Sequence, residues 1–312
     1  TEEEIDLKSN LDLNCHKPSE CPCLSLCHPN LPGYPIYDLP RARRSKFNKL
    51  KAQGIASLEQ IPSDFRLSKM QCKLVQSLQS KQAIIDHQAI AQELSQLEYP
   101  LYFLDYETFN PAVPMFDGYK PYQQISFQYS LHVLDKATTQ LDGIPRDEEF
   151  KHFEFLFTKQ EEPSEEFAQS LLDKIKDQGS VIVWNKSFEC GRNLELAELQ
   201  PQFAQGLKGI NDRVFDLMEI FSKGLYVDCR FHGSASIKKV LPVLVPGLSY
   251  KGMEIGEGAT AMIKWFELVY GDGQGNLLDD GEQGQIAKNL LKYCELDTWA
   301  MVRIWERLRE II

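Results

Sequence analysis

A strict alternation of apolar and polar residues over positions 124–133 constrains the fold more than any other feature of the sequence. Side chains of an extended chain point alternately to opposite faces, so a period of two predicts a half-buried β-strand. The apolar face carries every second residue, namely Ile125, Phe127, Tyr129, Leu131 and Val133. Such a strand needs a sheet with a core on one side, which makes a layered fold the expectation.

Further strand-like and helical patterns surround this segment. Short apolar runs at 101–104, 152–157 and 181–184 predict three more strands. Helical spacing is found at about 68–97, 164–176, 187–199, 216–223, 234–242, 257–267 and 283–310. A meander of three strands, followed by alternation of helix and strand, predicts an α/β fold with a mixed sheet flanked by helices.

The chain before this region has a different character. Residues 1–37 are rich in proline and loop-like, and a basic stretch and a helix follow them. For a chain of 312 residues, one or two domains are typical. We therefore expect an N-terminal loop and helical segment at 1–98, which holds a cysteine cluster, and an α/β domain at 99–312.

Three acidic motifs follow one another along the second region. Asp105 and Glu107 end a strand-like run, and their spacing of two directs both side chains to one face. Glu189 lies where another strand-like run gives way to a helix, while Tyr293 and Asp297 lie four apart on one side of a later helix. Carboxylates gathered at one place repel each other unless a cation lies between them. Each motif alone is also typical of a solvated strand or helix end.

The charge balance of the chain narrows the class of partner. A net charge of −11 excludes a protein that coats nucleic acid through bulk attraction, but it is compatible with an acidic site neutralised by metal ions. No apolar run approaches the roughly 20 residues of a transmembrane helix. The first residues, Thr-Glu-Glu-Glu, also lack the basic and apolar regions of a signal peptide. We expect a cytoplasmic protein without a membrane partner.

Half of the eight cysteines are clustered near the start of the sequence: Cys15, Cys21, Cys23 and Cys27. A secreted disulfide scaffold is rich in cysteine throughout, whereas one tight cluster in a cytoplasmic chain is typical of a metal or iron–sulfur ligand set. The spacing matches no standard zinc ribbon, so zinc, an iron–sulfur cluster and an ordinary reduced loop all stay open.

The ordered motifs resemble those of the DEDD 3′–5′ exonucleases, which have an RNase H-like fold. In that superfamily four carboxylates hold two divalent cations, Mg²⁺ or Mn²⁺. The resemblance implies Asp105, Glu107, Glu189 and Asp297 as metal ligands, and Tyr293, in the spacing of the tyrosine branch, as the residue that orients the attacking water. One departure is that the second motif normally ends in aspartate and here ends in Glu189. Asp216 is an acidic alternative further along the chain.

A closer resemblance is to a bacterial family of unknown function that joins this RNase H-like module to a cysteine-bearing, RecB-like nuclease segment. The stretches that carry it include 100–108, 121–133, 232–244 and 293–302. In the RecB-like nucleases, an iron–sulfur cluster uses one cysteine far upstream. The resemblance therefore implies that the cluster at Cys15–Cys27 is the tail of such a segment and that the sequence begins after most of it.

Three hypotheses about function follow from these patterns. The first is a metal-dependent 3′–5′ exonuclease that hydrolyses phosphodiester bonds of DNA or RNA by a two-metal mechanism, with a single-stranded end as substrate. The second is a non-catalytic module that binds nucleic acid or protein on a decayed nuclease fold, which the glutamate at position 189 favours. A scaffold joined to an upstream nuclease is a third reading.

Aromatic side chains follow the first acidic motif closely, and they bear on the substrate. They are Phe109, Phe116, Tyr119 and Tyr122. Aromatic rings in such a position stack on the bases of a single strand in many nucleic-acid-binding proteins. Packing of the loop onto the sheet is the alternative.

Overall fold

The computed structural model describes residues 15, 21, 23–136, 145–271 and 276–312. Most of the proline-rich start of the sequence lies outside these ranges. The elements are, in chain order, α1 (Leu24–Cys27), α2 (Arg44–Ala52), α3 (Lys69–Ser80), β1 (Ile84–Ile85), α4 (His87–Leu94), β2 (Leu101–Phe109), β3 (Ile125–Leu134), β4 (Phe150–Leu156), α5 (Ser164–Lys174), β5 (Ser180–Val183), α6 (Lys186–Leu199), α7 (Ala204–Asn211), β6 (Val214–Asp216), α8 (Glu219–Ser222), β7 (Tyr226–Val227), α9 (Ile237–Leu244), α10 (Gly258–Tyr270) and α11 (Asp280–Glu310).

The chain divides into two compact units. The first contains residues 1–86 together with Phe221–Ala235, and the second contains His87–Ile220 and Ser236–Ile312. The division thus falls at residue 86, earlier than the boundary we expected at 98. The first unit also includes Phe221–Ala235, a segment that interrupts the sequence of the second unit. No single boundary along the sequence therefore separates the two units.

In the first unit, short helices and turns surround a small apolar core that includes Phe47, Leu50 and Leu58. Its two-stranded sheet pairs Ile84 with Val227 and Ile85 with Tyr226. The single helix expected over 68–97 was therefore wrong. The chain leaves α3 at Lys81, which has a left-handed backbone with φ of 54°, and the two isoleucines form a strand because β7 offers them a partner.

The second unit is built on a five-stranded mixed sheet in the order β4-β3-β2-β5-β6. β3 is antiparallel to both β2 and β4, whereas β5 is parallel to β2 and to β6. The prediction of a mixed α/β sheet flanked by helices is confirmed. Asp216, where we expected a helix over about 216–223 to begin, is instead the last residue of the edge strand β6, and the helix α8 begins at Glu219.

Apolar cores cover both faces of this sheet. One contains Tyr102, Leu104 and Tyr106 of β2 with side chains of α5 and α7, and the other contains Phe127 of β3 with residues of α10 and α11 such as Trp265. All ten residues of β3 are buried, so the expectation of a half-buried strand was wrong. The long helix α11 packs across β2 and β3 and covers the polar side of that strand.

Hydrogen bonds explain how polar residues of β3 tolerate this burial. The Gln128 side-chain amide donates to the Leu290 carbonyl at 2.8 Å, and the hydroxyls of Ser130 and Thr298 lie 2.7 Å apart. None of the helices in the described part of the chain has the length and apolar character needed to cross a bilayer.

Candidate active site

The central strand β2 carries two of the candidate carboxylates in its second half. Tyr102, Leu104 and Tyr106 belong to the core on one face of the sheet, so the odd-numbered residues face the other side. Asp105 and Glu107 share this side, in agreement with their spacing of two. The pairing of β2 with β3 shifts between Glu107 and Thr108, and such bulges often re-aim side chains beside a functional site.

Helix α11 brings a third carboxylate to this place. One carboxylate oxygen from each of Asp105, Glu107 and Asp297 can be chosen so that the three atoms lie within 4.8 Å of one another. Glu107 and Asp297 are only 8% and 7% exposed. Almost two hundred positions of sequence separate these residues, yet their charges meet in one buried group, which we call the acidic group.

Glu189 stands next to this group but outside the triplet. It lies in the first turn of α6 and is 3% exposed. Its negative charge contributes to raising the pKa of Asp105. Among the described residues, the buried Oε2 atom of Glu189 has no hydrogen-bond partner. A buried carboxylate oxygen without a donor is costly unless a cation meets it.

Asp216, the acidic alternative to Glu189, is occupied differently. It ends β6 and is only partly buried. One of its oxygens accepts the backbone N–H of Lys186 at 3.0 Å, and the other accepts that of Met218 at 3.1 Å. Both oxygens therefore serve the turns that follow β5 and β6, so Glu189 is better suited to be the fourth ligand.

Burial and mutual repulsion raise the pKa values throughout the acidic group. Burial raises the pKa of Glu107 to about 8 and that of Asp297 to about 6, with the negative charge of Asp297 adding to the effect on Glu107. The pKa of Asp105 lies well above its usual range because of burial and the charges of Asp297, Glu107 and Glu189. Burial, with Asp216 nearby, raises the pKa of Glu189 to about 8. Such a group holds a proton or a cation more readily than it holds free negative charge.

Two further residues, Tyr250 and Lys238, support the acidic group, and neither was among the predicted site residues. The Tyr250 hydroxyl donates to Oδ1 of Asp297 at 2.5 Å. The Lys238 ammonium lies 5.4 Å from the ring centroid of Tyr250 and 5.5 Å from that of Tyr293, and its charge lowers the pKa of Glu107 and of Asp297. No spacing rule links the loop that holds Tyr250 to the acidic motifs. For Lys238, the signal in the sequence was the pair of lysines in the first turn of α9.

Tyr293 lies beside Asp297 on α11, as the spacing of four predicts. It is buried, and burial together with the charge of Asp297 raises its pKa far above the usual range. The Tyr293 side chain also lowers the pKa of Asp297. Tyr293 therefore stays protonated and keeps a hydroxyl for donation at the edge of the acidic group.

The four clustered cysteines belong to the first unit and are at least partly exposed. Cys15, Cys21 and Cys27 are partly exposed and Cys23 is exposed, and none of the four is in a disulfide. In the described ranges, the groups of metal-ligand side chains whose atoms lie within 4.8 Å do not include these cysteines. A metal or iron–sulfur cluster at Cys15–Cys27 stays a prediction.

The aromatic residues that follow Glu107 in the sequence have separate surroundings. Phe109 packs against Trp265 and Phe266, with ring centroids 5.5 and 5.4 Å away. The Tyr119 hydroxyl donates to Glu162 at 2.5 Å. Tyr122 is 66% exposed, so of these three it has the ring that is open for stacking.

Comparison with known proteins gives relatives but no described activity. The chain is 34% identical over 226 residues to the "Uncharacterized protein MG366 homolog" of Mycoplasma pneumoniae, an alignment that covers 67% of this chain and 32% of the relative. It is 27% identical over 244 residues to "Uncharacterized protein UU173" of Ureaplasma parvum, covering 72% of this chain and 34% of the relative. The matches thus span about a third of these relatives.

A third relative, "Uncharacterized protein MG366" of Mycoplasma genitalium, is 29% identical over 223 residues, or 67% of this chain and 32% of the relative. No solved structure matches the chain. Residues 102–236 match the family described as "Domain of unknown function (DUF2779)". This stretch covers all of β2 except Leu101 and the whole of α6, so Asp105, Glu107 and Glu189 of the candidate site lie in the part of the chain that is similar to this family.

Proposed function

We propose that the second unit is a metal-dependent 3′–5′ exonuclease, which hydrolyses phosphodiester bonds of a nucleic acid from a single-stranded end. One observation carries the proposal: oxygens of Asp105, Glu107 and Asp297, from distant parts of the chain, meet within 4.8 Å beneath the surface. A buried set of carboxylates has a high cost in free energy unless it is neutralised, and binding of hard divalent cations is the common reason to keep one.

The architecture of the sheet supports an RNase H-like fold. Three antiparallel strands are followed by two parallel strands that are connected through helices. The carboxylates come from the central strand, from the helix after the neighbouring strand and from the C-terminal helix. This is the order of motifs on which the resemblance to the DEDD exonucleases rests.

The residues of the acidic group fit the two divalent cations that such a reaction needs. Asp105, Glu107 and Asp297 would hold them together with Glu189, whose buried Oε2 atom otherwise meets no donor among the described residues. Glutamate is one methylene longer than the usual aspartate, and α6 begins close enough for its charge to act on Asp105. When bound, the cations supply charge that stabilises the attacking and leaving oxygens and lowers the pKa of a water.

The remaining residues position and balance this site. Tyr250 holds one oxygen of Asp297 and thereby fixes the direction of the carboxylate. Tyr293 keeps its proton and orients the attacking water, the role that the resemblance implies. Lys238 contributes positive charge near Glu107 and Asp297, which reduces the repulsion of a phosphate that approaches an acidic site.

Cleavage of labelled oligonucleotides tests the proposal. The wild-type protein should shorten a 5′-labelled single strand of DNA or RNA stepwise when Mn²⁺ or Mg²⁺ is present and should stop when EDTA is added. Asp105→Asn and Asp297→Asn should lose this activity, because each removes a charged oxygen from the metal site.

The matched control is Asp135→Asn, which also removes a carboxylate of the second unit. Asp135 is exposed and paired with Lys151 at 2.5 Å, and surface pairs of this kind contribute little to stability. Full cleavage by Asp105→Asn and Asp297→Asn, or equal loss in Asp135→Asn, would contradict the proposal.

A further inference from the structure

A second group of metal-ligand side chains lies on the same sheet as the acidic group. His132 of β3 is the direct cross-strand partner of His152 of β4, and Glu295 of α11 reaches them from the covering helix. One ring nitrogen of each histidine and one carboxylate oxygen of Glu295 lie within 4.8 Å of one another. We call these three residues the imidazole group.

The positions of the protons in this group follow from its hydrogen bonds. The Thr298 hydroxyl lies 3.1 Å from the Glu295 carbonyl, and since a carbonyl oxygen only accepts, Thr298 donates its single proton there. Its oxygen then accepts from its other two neighbours, the Ser130 hydroxyl at 2.7 Å and Nδ1 of His132 at 2.9 Å. His132 is therefore protonated on Nδ1.

The proton of His152 can be placed from the hydrogen bond of its ring to Ser130. Because Ser130 donates to Thr298, its oxygen accepts from Nε2 of His152, which lies 3.0 Å away. A neutral imidazole carries one proton. In neutral rings, Nε2 of His132 and Nδ1 of His152 therefore each carry a lone pair and no proton. Nδ1 of His152 lies 3.9 Å from Oε1 of Glu295.

Two electron-rich atoms facing each other repel unless a positive charge lies between them. A distance of 3.9 Å is too long for a hydrogen bond. Two ligand atoms that are each about 2.0–2.2 Å from one zinc ion stand no more than roughly 4.4 Å apart, so the distance allows a shared ion. We propose that His132, His152 and Glu295 bind a divalent transition-metal ion of the zinc class.

The surroundings favour such an ion over magnesium or calcium. Two imidazoles and one carboxylate suit zinc and its neighbours, whereas Mg²⁺ and Ca²⁺ prefer oxygen ligands. Hydroxyl groups that hold the second nitrogen of each ring are the usual support of a metal-binding histidine.

The exposure of the three side chains indicates how an ion could reach the imidazole group, and the stacking of the two rings indicates which ring must move to bind it. The side chains of His152 and Glu295 are 25% and 50% exposed, which gives an ion a path from solvent and leaves room for water as a fourth ligand. The two rings are stacked, with centroids 4.4 Å apart. A shared ion therefore needs the outer ring, His152, to tilt out of the stack, while the buried His132 keeps its place.

Calorimetric titration with Zn²⁺ in excess Mg²⁺ tests the proposal, because Mg²⁺ competes for carboxylate sites and not for imidazoles. Loss of a direct ligand in His152→Asn or Glu295→Gln should weaken zinc binding by more than the roughly 10–100-fold that loss of a supporting hydrogen bond costs. Thr298→Val, which is similar in shape and removes the proton acceptor, should weaken binding within that range.

The controls separate this site from other zinc ligands. His87→Asn removes an exposed histidine elsewhere in the second unit and should leave the titration unchanged. A Cys23→Ser, Cys27→Ser double variant removes competing thiolates and should keep the zinc equivalent that His152→Asn loses. Equal zinc stoichiometry and affinity in the wild type, His152→Asn and Glu295→Gln would overturn the proposal. Metal binding is read directly, so the result is independent of cleavage.

Discussion

The acidic group and the imidazole group each take one residue from α11, yet their polar atoms have different partners. Around His132 and His152, hydroxyl groups of the chain meet one nitrogen of each ring. Around Asp297, carboxylates gather with Lys238 as a nearby positive charge, and their pKa values rise. The hydroxyl groups of the chain thus satisfy one nitrogen of each imidazole and leave Nδ1 of His152 and Oε1 of Glu295 for the proposed ion. The acidic group instead concentrates negative charge, which we propose is neutralised by two cations.

The largest expected effect is on catalysis. Asp297→Asn should reduce Mn²⁺-dependent cleavage by several orders of magnitude, because loss of one member of a catalytic set usually disables the whole set. Rates measured with a 5′-labelled single strand provide the check, and circular dichroism should show that the variant is folded. Retention of wild-type rates would remove the functional distinction between the acidic group and an ordinary buried cluster.

The second largest expected effect is that of pH on the stability of the metal-free protein. The pKa values of Glu107 and Glu189 are raised to about 8 and that of Asp297 to about 6, so the folded state binds protons that the unfolded state has already released. Their contribution is complete below about pH 4 and is lost as pH rises through about 6 to 8. Thermal denaturation in EDTA should show the melting temperature falling over this window.

Added Mn²⁺ should remove most of that fall, since ions replace the protons. Glu107→Gln should also flatten the profile and raise the melting temperature at pH 8 in EDTA, because it deletes one repelling charge. A melting temperature that rises from pH 6 to pH 8 in the metal-free wild type would contradict the view that the acidic group lacks compensation.

A smaller effect is expected from the residue that orients Asp297. Tyr250→Phe removes the hydroxyl that donates to Oδ1 of Asp297, and loss of such a support typically weakens metal binding roughly 10–100-fold. Calorimetry with Mn²⁺ measures this directly. Tyr270→Phe, at a partly buried tyrosine of α10, is the matched control and should bind Mn²⁺ like the wild type. Equal affinities in both variants would show that Tyr250 has no positioning role.

The smallest effect distinguishes the two acidic residues that compete for the fourth position. Asp216→Asn should change Mn²⁺ affinity by less than about tenfold, or 1.4 kcal/mol, because the Asp216 oxygens already accept backbone N–H groups. Glu189→Gln should lose more, since a ligand charge disappears. The reverse order in the same titration would assign the fourth position to Asp216.

Those parts of the fold that depend on the spacing of nearby residues could be predicted from the sequence alone. The period of two around Asp105 and the spacing of four between Tyr293 and Asp297 are geometric properties of a strand and a helix, so side chains could be assigned to faces. The burial of both faces of β3 could not be predicted, because it arises from α11, a helix that is distant in sequence. Likewise, Ile84 and Ile85 leave the helical pattern only because β7 pairs with them.

Parts of the candidate site were beyond sequence reasoning for a similar reason. Tyr250 contacts Asp297 across a distance of 47 positions, and no periodicity connects a loop to a helix in that way. The imidazole group is formed by register: His132 meets His152 only because β3 and β4 pair as they do. Contacts that depend on the pairing of elements appear once the fold is assembled and not before.

Anomalous X-ray scattering from a crystal soaked in Mn²⁺ at pH 8 tests the central claim most directly. The account predicts manganese peaks bounded by carboxylate oxygens of Asp105, Glu107 and Asp297, with Glu189 turned towards them. A map without manganese among these four residues, in a crystal whose other conditions permit binding, would contradict it.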